Sequence, residues 1–162
     1  MRTLLTALTC LILFTTPVVA GDWGDAIDAY DAGDYQEAFR LLEPLAEQGN
    51  AQAQYKLGLM YGSGEGVTQD YAKAVPWYRR AAEQGHLDAQ LYLANKYQFG
   101  FGVPQSDLQA YAWSSIAAAQ GEMTADVIKS SIEDKMTRDQ IAKGQELAAE
   151  YWEKYVVLFK ED

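Results

Sequence analysis

The stretch AQYKLGLMYGSGEGVTQDYAKAVPWYRRAAEQG, residues 53–85, decides the fold of this chain of 162 residues. It recurs 36 positions later as AQLYLANKYQFGFGVPQSDLQAYAWSSIAAAQG, residues 89–121. The residues shared by the two copies include Ala53 and Ala89, Leu57 and Leu93, Tyr61 and Tyr97, Gly66 and Gly102, Trp77 and Trp113, and Gly85 and Gly121. Self-similarity at a period of ~20–50 residues is typical of a solenoid, in which each unit packs on its neighbours.

A glycine-rich segment stands in the middle of each copy, YGSGEGV at 61–67 and YQFGFGV at 97–103. A glycine-rich loop that opens a helix is one form of phosphate site. Neither segment has the GxGxxG or GxxxxGK[ST] spacing, however, and neither contains a lysine or an arginine. We therefore interpret both segments as connectors between the two helices of one unit, with glycine where the backbone needs a positive φ.

The hydrophobic spacing predicts two helices in each unit. In the first copy, helix A is predicted at about 51–61, and its apolar stripe has residues four apart, Ala53, Leu57 and Tyr61. Gly58 lies beside this stripe, where it would let another helix approach closely. Helix B is predicted to follow the N-cap Asp70 and to end at Gly85. Its predicted buried residues are Ala74, Trp77, Tyr78, Ala81 and Ala82.

The run at 53–85 closely resembles a Sel1-like repeat, of the kind found in secreted bacterial proteins. The second copy resembles it too, with Ala94 in place of the usual glycine and Asp107 at the tyrosine position. Residues 25–50 lack the long glycine loop and resemble the related tetratricopeptide repeat. The resemblance implies an all-α fold, a right-handed α/α superhelical solenoid of helix-turn-helix repeats. The implied units are a partial tetratricopeptide-like unit at 25–50 and repeats at 51–86 and 87–121.

Residues 122–157 predict a C-terminal helical cap on this solenoid. Ala125, Ile128 and Ile132 form the apolar stripe of a short helix. Thr137-Arg138-Asp139-Gln140 fits a capping box at the start of a second helix. The apolar face of that helix is predicted to carry Ile141, Ala148, Trp152 and Tyr155. A solenoid needs such a terminal unit to cover its last apolar face.

Residues 1–20 have the features of a secretory signal peptide, with Arg2 before a mostly apolar run and cleavage expected after Ala20. One alternative is an uncleaved membrane anchor, although the apolar run is short for a span of ~20 residues. Another is a lipoprotein acylated at Cys10, although that cysteine lies in the middle of the run. We therefore expect an exported, periplasmic protein whose mature chain is one domain, 21–162.

Charge and cysteine content narrow the function classes. The formal net charge is −10, and it becomes −11 when Arg2 leaves with the signal peptide. Such a surface disfavours nucleic acid and anionic lipid. The single cysteine, Cys10, would leave as well, so the mature chain would use neither disulfides nor thiol chemistry. We expect no nucleic-acid partner, and contact with the membrane only through an envelope partner.

The sequence contains no recognisable catalytic, cofactor-binding or metal site. His86 is the only histidine, and its turn position carries Asn50 and Glu122 in the neighbouring units, which favours a solvated loop. A zinc site needs three or four clustered ligands, and none cluster in the sequence. The serine pairs at 114–115 and 130–131 have no histidine nearby in the sequence. We predict a protein that is not an enzyme and holds no cofactor.

Helix A lines the concave side of a tetratricopeptide superhelix, and by analogy its positions outside the core predict a groove for a partner. These residues are Gln52, Tyr55, Leu59 and Ser63 and, 36 residues on, Asp88, Leu91, Asn95 and Phe99. Apolar and aromatic side chains at exposed positions indicate a binding surface, and Asn95 is placed to hold a ligand backbone. For Tyr55, core packing is an equal alternative. Upstream, Trp23, Ile27 and Tyr30 form a further stripe, with Trp23 interpreted as a lid over the core.

Two functions follow from the resemblance. The first is a secreted protein–protein interaction module, an adaptor or regulator that binds a peptide or partner domain in the groove without catalysis. Its acidic surface favours a partner with basic patches. The alternative is a cell-wall-related enzyme or ligand binder of the β-lactam or peptidoglycan class, as in certain cysteine-rich secreted family members, although the mature chain lacks their cysteines. Self-association through the N-terminal face around Trp23 and Tyr30 is a further arrangement that the sequence leaves open.

Overall fold

The computed structural model describes residues 22–157, which form eight α-helices and no strand. The helices are α1 (Trp23–Asp31), α2 (Tyr35–Glu47), α3 (Ala51–Ser63), α4 (Tyr71–Glu83), α5 (Leu87–Phe99), α6 (Asp107–Ala118), α7 (Met123–Glu133) and α8 (Arg138–Tyr155). None of these described helices has the length and apolarity that a bilayer crossing requires. The signal peptide expected at 1–20 and its cleavage after Ala20 lie outside the described residues.

Successive helices pack on one another in chain order from α1 to α7, so the chain is an all-α solenoid as predicted. The first six helices form three pairs, each with a helix A followed by a helix B. The cap helices α7 and α8 do not repeat that pairing. Instead α8 packs on α6 and reaches α4. The C-terminal cap is therefore confirmed, and its last helix covers α6 and the edge of α4.

The glycine-rich connectors bring adjacent repeats together. Gly64 and Gly100 end helix A in the left-handed conformation, with φ of 81° and 71°. The second glycine of each connector, Gly66 or Gly102, also has a positive φ. A side chain at Gly66 would overlap the backbone carbonyl of Tyr35 at the start of α2. Gly102 lies in the same way against the start of α4. The connector interpretation is confirmed, and these two glycines also hold each loop against the preceding repeat.

Paired glutamines link each helix A to the B helices on both sides. The Nε2 of buried Gln54 donates to the carbonyl of Ala46 in α2 at 2.9 Å, and Gln54 Oε1 accepts from Gln84 Nε2 just after α4 at 2.7 Å. The same bonds recur one repeat later, from Gln90 to Ala82 at 3.2 Å and from Gln120 to Gln90 at 2.8 Å. Each buried amide is satisfied by two helices, which fixes the register between repeats.

Helix α4 packs tightly on α3 through an aromatic ring over a glycine. A Cβ at Gly58 would lie 2.6 Å from two carbons of the Tyr78 ring, so the predicted close approach at Gly58 is confirmed. Of the predicted buried face, Trp77 differs from the others, because it is half-buried and packs on the preceding unit. Arg80 covers the indole at 4.7 Å. The predicted N-cap Asp70 accepts from the backbone N–H of Lys73 at 3.1 Å.

The cap follows its sequence pattern. Ala125 and Ile132 are fully buried in α7, and Ile128 packs half-buried beside them. Both bonds of the capping box between Thr137 and Gln140 are present, at 2.8 and 3.3 Å. In α8 the predicted apolar residues split between two clusters, with Ile141 beside Tyr111 and Ala148, Trp152 and Tyr155 against the core around Trp113.

Replacing Gly58 by alanine is expected to lower the free energy of unfolding by ~1–3 kcal/mol, as overpacking does in tight interiors. Tyr78 is only 1% exposed, so its ring has no space into which it can move. Gly24→Ala is the matched control, because it adds a Cβ within a helix where no atom lies nearer than 4.0 Å. Urea unfolding measures both variants against the wild type. Equal stability of the two variants would contradict the close contact between α3 and α4.

Candidate functional site

Two adjoining pockets lie on the side of the solenoid formed by the A helices. The first pocket has a volume of about 310 Å³ and is lined by Leu91, Tyr92, Asn95, Lys96, Thr124 and Ile128. The second has about 230 Å³, and its lining includes Leu59, Ser63, Tyr71, Tyr78, Tyr92 and Lys96. Because Tyr92 and Lys96 line both, the two pockets form one groove along α3, α5 and α7. Sites for small molecules usually enclose ~300–1,000 Å³, so the first pocket lies at the lower end of that range and the second lies below it.

Four of the eight residues predicted from the sequence line this groove. Leu59 and Ser63 lie in the second pocket, and Leu91 and Asn95 lie in the first. The Ser63 hydroxyl donates to the backbone carbonyl of Leu59 at 2.9 Å, which fixes its orientation. These four residues occupy equivalent rows of α3 and α5. The walls they supply are therefore mixed, with two leucines and two small polar groups.

The other four predicted residues line neither pocket. Gln52 is exposed and accepts a hydrogen bond from His86 Nε2 at 3.0 Å. Asp88 is exposed at the start of α5. Phe99 is 53% exposed and stacks on Phe101 with ring centroids 5.9 Å apart. This exposed aromatic pair lies at the far end of α5, and the prediction of a binding role for it stands as a prediction.

Tyr55, the remaining predicted residue, is half-buried in an aromatic cluster. Its ring centroid lies 4.6 Å from that of His86, 5.7 Å from Tyr92 and 6.1 Å from Tyr78. Burial raises the pKa of Tyr55 and that of Tyr78 well above the usual tyrosine value, so both remain neutral phenols. Tyr55 therefore supports Tyr92 from behind, which agrees with the core-packing alternative for this residue.

Sequence reasoning missed Tyr92 and Lys96, the two residues shared by both pockets. Both lie one position after a predicted groove residue, at Leu91 and Asn95. Helical side chains lean toward the N-terminus, so a given surface spot is covered by a residue about one position C-terminal to it. Allowing for this tilt of the side chains would have added the helix row of Tyr92 and Lys96 to the predicted groove. Lys96 Nζ lies 4.6 Å from the ring centroid of Tyr71 and 5.6 Å from that of Phe101.

The upstream unit continues the same face beyond α3. Lys56 Nζ lies 4.3 Å from the centroid of the Tyr30 ring. The Tyr30 hydroxyl donates to Glu65 at 2.8 Å, and burial together with this bond raises the pKa of Tyr30 to about 12. Trp23 packs half-buried against the N-terminal core, where it was expected as a lid. Tyr30 packs on the same cluster, so both aromatic rings already have partners within the chain.

His86 lies in the turn between α4 and α5 but is half-buried there, so the expectation of a solvated loop holds only in part. It is the N-cap of α5, and its Nδ1 accepts from the backbone N–H of Ala89 at 3.3 Å. Nε2 therefore carries the proton that is donated to Gln52. Asn50 and Glu122 cap α3 and α7 in the same way, so the shared turn position is a capping position. Burial beside Tyr55 lowers the pKa of His86.

The residues considered for catalysis are dispersed. Ser114 is fully buried and its hydroxyl donates to the carbonyl of Tyr111 at 3.1 Å, away from the groove. Ser131 accepts from Gln98 Nε2 at 3.4 Å. Among residues 22–157 no group of three or more His, Cys, Asp or Glu side chains is placed to hold a metal ion. The chemistry that the groove itself offers is apolar and aromatic contact, hydrogen bonding and one ammonium group.

Comparison with known proteins identifies the class. The Sel1 repeat family model matches residues 24–50, 51–86 and 87–122. The chain therefore belongs to the Sel1 repeat family. The match includes the unit at 24–50, whose sequence resembles a tetratricopeptide repeat.

Two solved structures share the fold. A protective antigen of uropathogenic Escherichia coli with an SLR fold superimposes with a TM-score of 0.77 and 30% identity, covering 80% of this chain and 29% of the antigen. A Sel1 repeat protein from Oxalobacter formigenes gives a TM-score of 0.64 and 30% identity, covering 78% of this chain and 54% of that protein.

Two curated relatives match a shorter stretch. The ERAD-associated E3 ubiquitin-protein ligase components HRD3A and HRD3B of Arabidopsis thaliana are each 45% identical over 47 residues, which is 28% of this chain. The chain spans only 7% and 8% of those relatives. Sel1-repeat proteins mediate protein–protein interaction and are typically non-catalytic, and their repeats generally bind protein partners.

Acidification is expected to destabilise the protein through His86. Because its pKa is lowered below the ordinary ~6.5, the unfolded chain binds more protons than the folded chain between the two values. The free energy of unfolding therefore falls as the pH drops through this window. Thermal unfolding at about pH 7.5 and about pH 5 should show a smaller loss of Tm for His86→Asn than for the wild type. That variant keeps the capping group that Asn50 supplies, and an equal loss in both proteins would contradict the assignment.

Proposed function

We propose that this chain is an exported, periplasmic interaction module, an adaptor or regulator that binds a peptide segment of a partner protein in the groove without catalysis. The observation that carries the proposal is the pair of small pockets that adjoin at Tyr92 and Lys96. Two consecutive side chains on one face of a partner segment would fill them. Membership of a family whose repeats bind proteins supports this assignment.

Tyr92 gives the groove an exposed aromatic anchor of the kind found in interaction hot spots. Tyrosine and leucine supply apolar area, and burying such area contributes ~25 cal/mol per Å². The Tyr92 side chain is 38% exposed and is backed by Tyr55 and Tyr78, so little conformational freedom remains to be lost on binding. Rigid aromatic residues of this kind account for much of the binding energy of protein interfaces.

The leader sequence and the net charge support the other two parts of the proposal, the periplasmic location and the type of partner. The basic, apolar leader at 1–20 supports export to the periplasm. The net charge of −10 would attract basic patches of a partner around the groove and raise the rate of encounter. An envelope protein with such patches would bring this chain to the membrane without any lipid contact of its own.

Introducing charge into both pockets is expected to abolish partner binding. The variant Leu59→Glu with Leu91→Glu places a carboxylate in each pocket, where it would be desolvated by a bound apolar side chain. Wild type and variant serve as bait in an envelope extract, retained proteins are identified by mass spectrometry, and binding of the purified partner is measured by calorimetry. We expect at least a hundredfold loss of affinity, which corresponds to ~2.8 kcal/mol.

The matched control is Met123→Glu with Val127→Glu. These residues are also apolar, they are 81% and 70% exposed on α7, and they line neither pocket. The control should bind like the wild type, and circular dichroism should show equal helix content in all three proteins. Equal binding by the groove variant, or equal loss in the control, would refute the groove as the binding site.

Export predicts a definite mature N-terminus. Expressed with its leader in a Gram-negative host, the chain should be recovered from the periplasmic fraction with an intact mass and N-terminal sequence that begin at Gly21. Signal peptidase requires a small residue before the cleaved bond, so Ala20→Tyr should leave the leader attached. Recovery of the wild type with residues 1–20 still present, or in the cytoplasmic fraction, would contradict export by cleavage.

A further inference from the structure

Lys96 is a half-buried cation without an anion. Burial lowers the pKa of its ammonium group, and no opposing charge offsets that effect. Within residues 22–157 the ion pairs are Arg40 with Glu37, Lys73 with Asp70, and Lys129 with Glu133. Lys96 takes part in none of them. Most basic residues of this range also lie outside these ion pairs, but Lys96 is distinguished by its place in the lining of both pockets.

The position of Lys96 in the groove is defined by its neighbours. The rings of Tyr71 and Phe101 lie under its ammonium group, and cation–π contact of this kind holds the side chain in place without neutralising its charge. Lys96 lines the pocket that contains Leu91 and also the pocket that contains Leu59. Lys96 therefore stands between the two pockets, each of which has an apolar wall, and its ammonium group lies beside Tyr71 of the second pocket.

We propose that the groove recognises a peptide segment in which an internal aspartate or glutamate has apolar side chains on both sides, and that this carboxylate pairs with Lys96. The inference rests on the proposed function and names the chemistry of the partner segment. One apolar side chain enters the pocket of Leu91 and Ile128, and the other enters the pocket of Leu59 and Tyr78. The carboxylate lies between them and supplies the anion that Lys96 lacks within the chain.

Because a pocket lies on each side of Lys96, an internal acidic residue of the partner fits the groove better than a C-terminal carboxylate. A C-terminal carboxylate has peptide chain on only one side, so it would leave one of the two pockets empty. An internal acidic side chain has residues before and after it and fills both. The pairing is also charge-assisted in a partly desolvated site, where such bonds are stronger than on an open surface.

The positive charge of Lys96 is opposite in sign to the net charge of the protein. The net charge of −10 repels acidic segments in general. An acidic residue is accepted only where Lys96 meets it and flanking apolar contacts offset the repulsion. Specificity among peptides thus comes from attraction at Lys96 together with repulsion by the surrounding acidic surface, a common basis of specificity. Basic patches on the partner would lie outside the groove, against the acidic surface.

Peptide selection tests the inference directly. Two libraries of random linear peptides are displayed on phage, one with the peptide carboxyl terminus joined to the coat protein and one with it free. They are selected on the wild type, Lys96→Met and Lys96→Glu, with Lys143→Glu on the exposed face of α8 as the charge-matched control. Affinities of the selected sequences, made as free and as terminally amidated peptides, are measured by fluorescence anisotropy.

We expect the wild type and Lys143→Glu to select, from the joined library, peptides with an Asp or Glu between apolar residues. Replacing that Glu by Gln should weaken binding about tenfold, because a hydrogen bond to a charged group is lost. Lys96→Glu should select Lys or Arg at the same position. Lys96→Met should retain the apolar preferences and lose the acidic one.

Two results would overturn the inference and leave the proposed function intact. In the first, the selected peptides lose binding to the Leu59→Glu, Leu91→Glu variant, so they bind in the groove, but they show no preference for an acidic residue. Selection of the same acidic preference by Lys96→Glu as by the wild type would have the same meaning. The other is binding only by peptides with a free carboxyl terminus. Selected peptides that bind the Leu59→Glu, Leu91→Glu variant as well as the wild type, or no selected peptide at all, would instead count against both proposals.

Discussion

The backbone of Gly66 and that of Gly102 lie against the first turn of the preceding helix B, closer than any side chain would allow. This contact is the constraint on which the stacking of the repeats depends, because it brings each connector loop onto its neighbour at one fixed place. The amide of Gln54, and that of Gln90 one repeat on, then join the same elements by hydrogen bonds. Adjacent A helices are held at a constant offset, and the space left between them becomes the groove.

The groove is thus a property of the boundaries between units. Its pockets lie between α3 and α5 and between α5 and α7, so neither exists within one isolated repeat. Tyr92 and Lys96 belong to both because α5 is the helix that the two boundaries share. A family known for protein interaction accounts for the existence of such a face. In our proposal the residues at these boundaries, above all Lys96, determine which peptide segments the face binds.

Much of the architecture could be predicted because it depends on short-range patterns. The period of 36 residues located the helix pairs, Asp70 and Thr137 marked helix starts, and Gly58 marked a close helix contact. The tight pair of Gly58 and Tyr78 becomes Ala94 and Ser114 in the next repeat, where a larger residue on helix A accompanies a smaller one on helix B. The repeats keep one backbone arrangement and vary the way in which its interior is filled.

The sequence by itself determined the helix pairs, the caps Asp70 and Thr137, the positive-φ glycines and the repeat family, because these depend on residues a few positions apart. It also placed Leu59, Ser63, Leu91 and Asn95 on the face where the two pockets lie, since helical periodicity assigns faces. Only the tertiary structure decided that α8 packs on α6, that His86 is a half-buried cap, and that Tyr92 and Lys96 join the two pockets. These features depend on distances between helices and on the lean of side chains, which one-dimensional spacing does not contain.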